Sequence, residues 1–183
     1  ISGIETEAQI LNTQSEDYRY SCERLMADTN AAITGAFEGG AGEVYVVDGH
    51  DGGNNFIPGA LDSRAKQVTM SEWNFEPGEI SAFMHIGAHA MAGTQNAFLD
   101  HTQSSITWHD YMVNGRRSGE LAQAAIFAGA YGIPYIMVSG DAAACIEARD
   151  FLGDIRTVSV KSGIGRNRAR CIPPDLAAAK IKE

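Results

Sequence analysis

The chain of 183 residues has few basic side chains, few cysteines and no long apolar run, and each shortage excludes a class of protein. It carries 14 lysines and arginines against 23 acidic residues, a formal net charge of -9, which argues against nucleic acid or an anionic membrane as its partner. No apolar stretch approaches the roughly 20 residues that a transmembrane helix needs. The three cysteines are odd in number and widely spaced, so they predict reduced thiols in a cytoplasmic protein rather than a disulfide framework.

Three common catalytic or metal-binding patterns are missing as well. The sequence contains neither HExxH nor CxxC, so the standard spacings of zinc ligands do not occur. It also lacks GxSxG, which argues against an α/β hydrolase that uses a serine nucleophile. The length, with 44% hydrophobic and 20% charged residues, predicts one ordinary globular domain over residues 1–183. Because the chain opens with Ile1 rather than Met, we expect it to be a segment of a longer protein.

Hydrophobic periodicity predicts alternating strands and helices. Residues 15–38 carry apolar side chains at helical spacing, and Gly39-Gly40 ends the predicted helix. Two further helices are predicted at 119–132 and 141–151. Short apolar runs predict buried strands inside a sheet that helices cover, and they read EVYVVD, ISAFMH, IPYIMVSGD and IRTVSV. The alternation predicts an α/β fold, a three-layer sandwich with a mostly parallel central sheet.

Polar residues follow three of the predicted strands, in the stretches VVDGHDGGNN, HIGAHAMAG and SGD. In open α/β sheets, ligands bind beyond the carboxyl ends of the strands. His50 and His89 come from two such ends, so they could converge on one metal ion. Glu120, at the start of the helix predicted at 119–132, is the best remaining carboxylate to complete a zinc site. His101 lies in a polar loop a dozen residues beyond His89.

A plainer interpretation of these residues stays open at the level of pattern. His50 and His89 could cap strands and hydrogen-bond to loop carbonyls, without any metal. His85 lies within the apolar run and is predicted to be a core histidine away from the metal site. Asn114-Gly115 is a hairpin signal, so Asn114 is either a turn residue or a substrate contact. Asp48 is a candidate to orient the His50 imidazole, as carboxylates often do for metal-bound histidines.

Six ordered blocks carry a resemblance to a known family over essentially the whole chain. They are ISGIE, VYVVDGHDGGNN, HIGAHAMAG, DHT, VNGRRSGE and GIPYIMVSGD. In order and spacing they resemble the DppA-type D-aminopeptidases, peptidase family M55, which are zinc-dependent. Carried across block by block, the resemblance implies that His50, His89 and Glu120 are metal ligands and that His101 is the catalytic histidine.

The same resemblance implies a substrate and an assembly. The expected reaction is hydrolysis of short peptides with an N-terminal D-amino acid such as D-alanine, in a ring-like homo-oligomer with a decamer as the expected size. The family binds two zinc ions per subunit and opens with an Asp-x-Glu-Gly strand, which supplies two ligands ahead of the ISG block. Since this chain starts at that block, we expect it to bind at most one zinc. The alternative is a non-catalytic binding or oligomerisation module with the same fold and an incomplete metal site.

Overall fold

A computed structural model describes residues 1–50 and 52–183. Its helices are α1 (Ala8–Leu11), α2 (Glu16–Glu38), α3 (Glu120–Ala130), α4 (Ala142–Leu152) and α5 (Pro174–Lys182), with a 3-10 helix at Met70–Glu72. Its strands are β1 (Tyr45–Val46), β2 (Lys66–Gln67), β3 (Phe83–Ala88), β4 (Met112–Val113), β5 (Arg116–Arg117), β6 (Tyr135–Asp141), β7 (Arg156–Gly165) and β8 (Arg168–Cys171). None of the described helices is long and apolar enough to cross a membrane.

The central sheet has four strands in the order β3-β6-β7-β8. The first three run parallel, and β8 returns antiparallel beside β7. Helix α4 connects β6 to β7, which is the crossover that parallel neighbours require. Gly140 lets β3 and β6 approach closely, because a Cβ at that position would lie 2.2 Å from the Ala88 carbonyl oxygen. The predicted α/β fold with a mostly parallel sheet is confirmed.

Helices cover both faces of this sheet and produce two separate cores. One core lies between the sheet and helices α3 and α4, and its buried residues include Leu121, Val138, Ala144 and Ala148. The other lies between the sheet and helices α2 and α5, and its buried residues include Ala32, Met137, Val160, Ala177 and Ile181. Apolar side chains are buried between the sheet and the helices on both of its faces, so the arrangement is the predicted three-layer sandwich.

Local signals explain why several elements begin where they do. The Ser15 hydroxyl accepts a hydrogen bond from the Tyr18 amide at 3.1 Å and caps α2. The Asp141 carboxylate accepts one from the Ala144 amide at 2.6 Å and caps α4. Asn114 and Gly115 both have positive φ, 51° and 78°, which is the conformation of a tight hairpin turn between β4 and β5. The hairpin predicted at Asn114-Gly115 is confirmed.

The strand predicted in EVYVVD does not belong to the central sheet, and that prediction is wrong. Only Tyr45–Val46 is extended, as β1, and it pairs in parallel with β2 in a separate two-stranded sheet. On β1, the Tyr45 ring packs against the Phe75 ring, with 4.7 Å between the ring centroids. The loop that carries His50 therefore leaves from this small sheet and not from the central one.

Candidate metal centre

Two histidines and one carboxylate meet beyond the carboxyl end of β3. His89 directly follows this strand, Glu120 is the first residue of α3, and His101 lies on the loop between them. Hydrogen bonds join the loop of His101 to the segment that follows His89. The His101 amide donates to the Ala90 carbonyl at 3.3 Å, and the Gly93 amide donates to the Asp100 carboxylate at 2.6 Å. These bonds hold His101 against His89.

The donor atoms of the three side chains all lie within 4.8 Å of one another. His89 Nε2 is 3.5 Å and His101 Nε2 is 3.8 Å from Glu120 Oε1. The two imidazole rings are stacked, with centroids 3.8 Å apart and an interplanar angle of 16°. The amide of Gln103 donates to the same Glu120 oxygen at 2.7 Å and fixes the carboxylate. This set of donors is called the His-His-Glu cluster below.

The backbone determines which nitrogen of each histidine faces the cluster. His89 Nδ1–H donates to the Ala90 carbonyl at 3.1 Å, and His101 Nδ1–H donates to the Leu99 carbonyl at 2.7 Å. With Nδ1 used as a donor, the neutral ring presents the lone pair of Nε2. Nε2 of each ring therefore faces Glu120. In the charged form of His89 this nitrogen donates to Glu120, and loss of that proton leaves Nε2 free to bind a metal.

The charges of the cluster shift its pKa values in different directions. Burial disfavours the charged form of His89, but the hydrogen bond and the charge of Glu120 outweigh it and raise the pKa of His89. Burial and the neighbouring His89 lower the pKa of His101, so this ring is neutral near pH 7. Burial alone would raise the pKa of Glu120, yet the contact with His89 and the Gln103 amide lower it to about 2. Glu120 is therefore an anion beside two imidazoles.

The geometry of the cluster fits a zinc ion. Zinc binds His nitrogen and carboxylate oxygen at roughly 2.0–2.2 Å, so two ligand atoms on one tetrahedral ion lie about 3.4 Å apart. The observed separations of 3.5 and 3.8 Å to Glu120 Oε1 are close to that value. The donor types also match, because zinc binds an ionised carboxylate and takes the place of the Nε2 proton of a histidine. Among the described residues, this is where His and carboxylate donors converge.

His50, the third predicted ligand, is not part of the His-His-Glu cluster. Its side chain is exposed, and it is not among the donors that converge there. Asp48 does not contact the His50 ring in any described bond. Its carboxylate accepts hydrogen bonds from the Asn55 amide at 2.7 Å and the Asn55 side chain at 3.0 Å, and that side chain also donates to the His50 carbonyl at 2.7 Å. Asp48 thus shapes the loop of His50 through Asn55.

Two other residues considered from sequence lie outside the cluster. Asn114 is exposed at the tip of the β4–β5 hairpin, where its turn conformation accounts for the residue type. His85 is half-buried and its Nδ1 lies 2.8 Å from the Tyr135 hydroxyl. Burial lowers the pKa of His85 to about 4, so the ring is neutral and bonded within the fold, as expected for a core histidine.

A cleft of about 290 Å³ opens beside the cluster. Its lining includes His101, Asp100, Trp108 and Arg166, whereas His89 and Glu120 do not line the described part of it. His101 is therefore the member of the cluster that lines this cleft. The side chains of His89, His101 and Glu120 are 25%, 25% and 31% exposed, so all three are partly accessible.

Sequence reasoning missed Glu147, a buried carboxylate on α4. Its Oε2 accepts a hydrogen bond from the Met91 amide at 2.7 Å, two residues after His89. Burial raises the pKa of Glu147. Within the helix AAACIEARDFL, Glu147 has no motif around it. The available signal was its position, because a carboxylate among buried alanines needs a partner.

Comparisons with known proteins agree with this chemistry. The profile of peptidase family M55, described as D-aminopeptidase, matches residues 1–183. A D-aminopeptidase of Bacillus subtilis (strain 168) is 29% identical over 188 residues, which cover 100% of this chain and 68% of the relative. A solved structure of the Zn-dependent D-aminopeptidase DppA from Bacillus subtilis, a self-compartmentalizing protease, superposes with a TM-score of 0.88 at 26% identity. The match covers 100% of this chain and 67% of that one, so the chain spans about two thirds of these relatives.

Proposed function

The chain belongs to the D-aminopeptidase family M55, and from that membership we propose that it is a zinc-dependent aminopeptidase acting on short peptides with an N-terminal D-amino acid, such as D-alanine. The observation that carries the proposal is the His-His-Glu cluster, in which the Nε2 atoms of two histidines meet one ionised carboxylate. We further propose that residues 1–183 form a single α/β domain. The three free cysteines support a cytoplasmic location.

Within the cluster, His89 and Glu120 are the proposed zinc ligands, and His101 is assigned the catalytic role that the family resemblance implies. His50, on a neighbouring loop, would complete three protein ligands, which is the usual number at a catalytic zinc. Bound zinc lowers the pKa of a coordinated water to about 7 and polarises a carbonyl. Two zinc ions at one site need carboxylates that bridge them, and Glu120 is the single carboxylate of the cluster. The proposed stoichiometry is one zinc per chain, against two in the family.

His101 is the proposed acid–base residue. It lines the cleft, and its Nδ1–H bond to the Leu99 carbonyl at 2.7 Å leaves Nε2 as the nitrogen that can accept a proton. Because its pKa is lowered, the ring is neutral near pH 7 and can take the proton of the attacking water. The same nitrogen can then deliver that proton to the leaving amine, as general acid–base catalysis requires.

The substrate and assembly follow from the family. A cleft of about 290 Å³ accommodates a short peptide rather than a folded chain, and the formal charge of -9 disfavours nucleic acid and anionic membrane as partners. The similar DppA is a self-compartmentalizing protease, and we propose a ring-like homo-oligomer, with a decamer as the expected size. Analytical ultracentrifugation measures that size directly.

The test compares the wild type with His89→Ala and with His109→Ala, an exposed histidine outside the cluster. Zinc content is measured by atomic emission, and hydrolysis is measured on D-alanyl and L-alanyl amides. We expect His89→Ala to lose both zinc and hydrolysis, and His109→Ala to keep its zinc. Equal hydrolysis of the L-amide would contradict the stereochemistry. Zinc uptake with no hydrolysis of either amide would favour the non-catalytic binding module.

A further inference from the structure

Glu147 connects α4 to the segment that carries His89. The residue is 9% exposed, and its Oε2 accepts the Met91 amide hydrogen at 2.7 Å. Only Ala90 separates Met91 from His89. The side chain of a helix in the outer layer thus anchors the backbone of the turn on which His89 stands.

The same carboxylate lies against the start of α3. Gly119 is the N-cap residue of this helix and directly precedes Glu120. A Cβ at Gly119 would lie 2.5 Å from Glu147 Oε1 and 2.7 Å from the Met91 Cβ. Glycine is therefore the residue that lets α3, the Met91 turn and the Glu147 carboxylate meet at one point. Each of the two segments that meet there carries one member of the His-His-Glu cluster.

Packing alone does not explain a carboxylate at this place. Its neighbours on α4, Ala144 and Ala148, are completely buried, and Glu147 Oε1 has no hydrogen-bond partner among the described residues. A buried carboxylate with an unpartnered oxygen destabilises a fold, so packing gives no reason for a glutamate at this position. The contact that remains is the one with the Met91 amide.

We propose that Glu147 is a positioning residue, which keeps His89 and Glu120 at the separation that zinc requires. The inference rests on the proposed zinc site and extends it to a residue that does not bind the metal. Outer groups that orient metal ligands typically change metal affinity by about 10- to 100-fold when they are removed. We expect the loss of the Met91 hydrogen bond to weaken zinc binding within that range.

The test uses two replacements of nearly the same size as glutamate, so that no cavity is created. Glu147→Gln keeps an oxygen that can accept the Met91 amide hydrogen, whereas Glu147→Met has no such acceptor. Asp150→Asn on the same helix, at a side chain that is 79% exposed, is the control. Zinc dissociation constants are measured by competition with a chromophoric chelator, and the exchange rate of the Met91 amide is measured by NMR in the metal-free protein.

We expect Glu147→Met to bind zinc about 10- to 100-fold more weakly and to exchange the Met91 amide hydrogen faster. For Glu147→Gln, we expect a zinc dissociation constant and a Met91 exchange rate within about threefold of the wild type. Wild-type zinc affinity in Glu147→Met would overturn the proposal and leave the proposed function intact. An equal loss in both variants would also overturn it, because the hydrogen bond would not be the cause. A wild type that binds no zinc would overturn the proposed function and this inference together.

Discussion

The pairing of Glu120 with His89 predicts a measurable change in the pKa of His89 when the charge is removed. Glu120→Gln keeps the length of the side chain and an oxygen that can accept the Gln103 amide hydrogen. In the wild type, Glu120 raises the pKa of His89 against the effect of burial. Without that charge, burial dominates, and we expect the pKa of His89 to fall from above its usual value to below it.

The magnitude follows from the distance between the two charges. His89 Nε2 and Glu120 Oε1 are 3.5 Å apart, and at an effective dielectric constant of about 20 two unit charges at that distance attract by about 5 kcal/mol. The side chains are 25% and 31% exposed, so solvent screening reduces this attraction to about 2 kcal/mol. Because this attraction favours the charged form of His89, its loss in Glu120→Gln lowers the pKa of His89.

The assay is an NMR titration of the histidine ring protons in metal-free protein, with wild type and variant side by side. Asp150→Asn, which removes an exposed carboxylate on α4, is the control and should leave the His89 titration unchanged. If His89 titrates at the same pH in the wild type and in Glu120→Gln, the two side chains are not paired in solution. The argument from the cluster geometry would then fail.

Three further predictions concern catalysis and stability. His101→Ala should retain its zinc while kcat falls by about 10²- to 10⁴-fold, and loss of zinc in that variant would identify His101 as a ligand instead. Burial lowers the pKa of His85 in the folded state to about 4, against about 6.5 in the unfolded chain. The contribution of the neutral ring to the free energy of unfolding is therefore fully present above about pH 6.5. It is lost as the pH falls toward 4, by up to about 3 kcal/mol. Urea unfolding of the wild type and His85→Gln at pH 7 and pH 4.5 checks this. The free energy of unfolding should fall less between the two pH values in the variant, because glutamine does not titrate. Gly140→Ala places a Cβ 2.2 Å from the Ala88 carbonyl oxygen and should destabilise the protein by more than about 3 kcal/mol, whereas Gly129→Ala, in open space on α3, should stabilise it by up to about 1 kcal/mol. Equal unfolding midpoints for these two glycine variants would contradict the close approach of β3 to β6.

Elements with strong local signals were predictable from sequence, and elements without them were not. Both ends of helix α2 lie within one residue of the prediction, because Ser15 caps its start and glycines follow its last residue. Strand β8 was not predicted, since RARC contains no apolar run and buries a single residue. The EVYVVD run was misplaced for a different reason. Its composition indicates a covered strand, but nothing within the run specifies which sheet or which aromatic neighbours cover it.

The candidate site, too, could be predicted from the sequence only in part. The residue types of His89, His101 and Glu120 could be read from the sequence as candidates for metal chemistry. Their distances could not, because the three residues are brought together by hydrogen bonds between two loops and by the docking of α3. The sequence also could not predict that His50 is exposed on a loop that leaves the small sheet.

The sequence by itself determined the fold class, the family and the residues capable of binding zinc, because caps, periodicity and ordered motifs are encoded within a few neighbouring residues. Only the tertiary structure decided that His89, His101 and Glu120 meet and that His101 also lines the cleft. It also decided that Glu147 meets both Met91 and Gly119. Such contacts join residues that are tens of positions apart, and they exist only once α3 and α4 have packed onto the same face of the sheet. No local pattern specifies that packing, since many side chains of similar size would satisfy it.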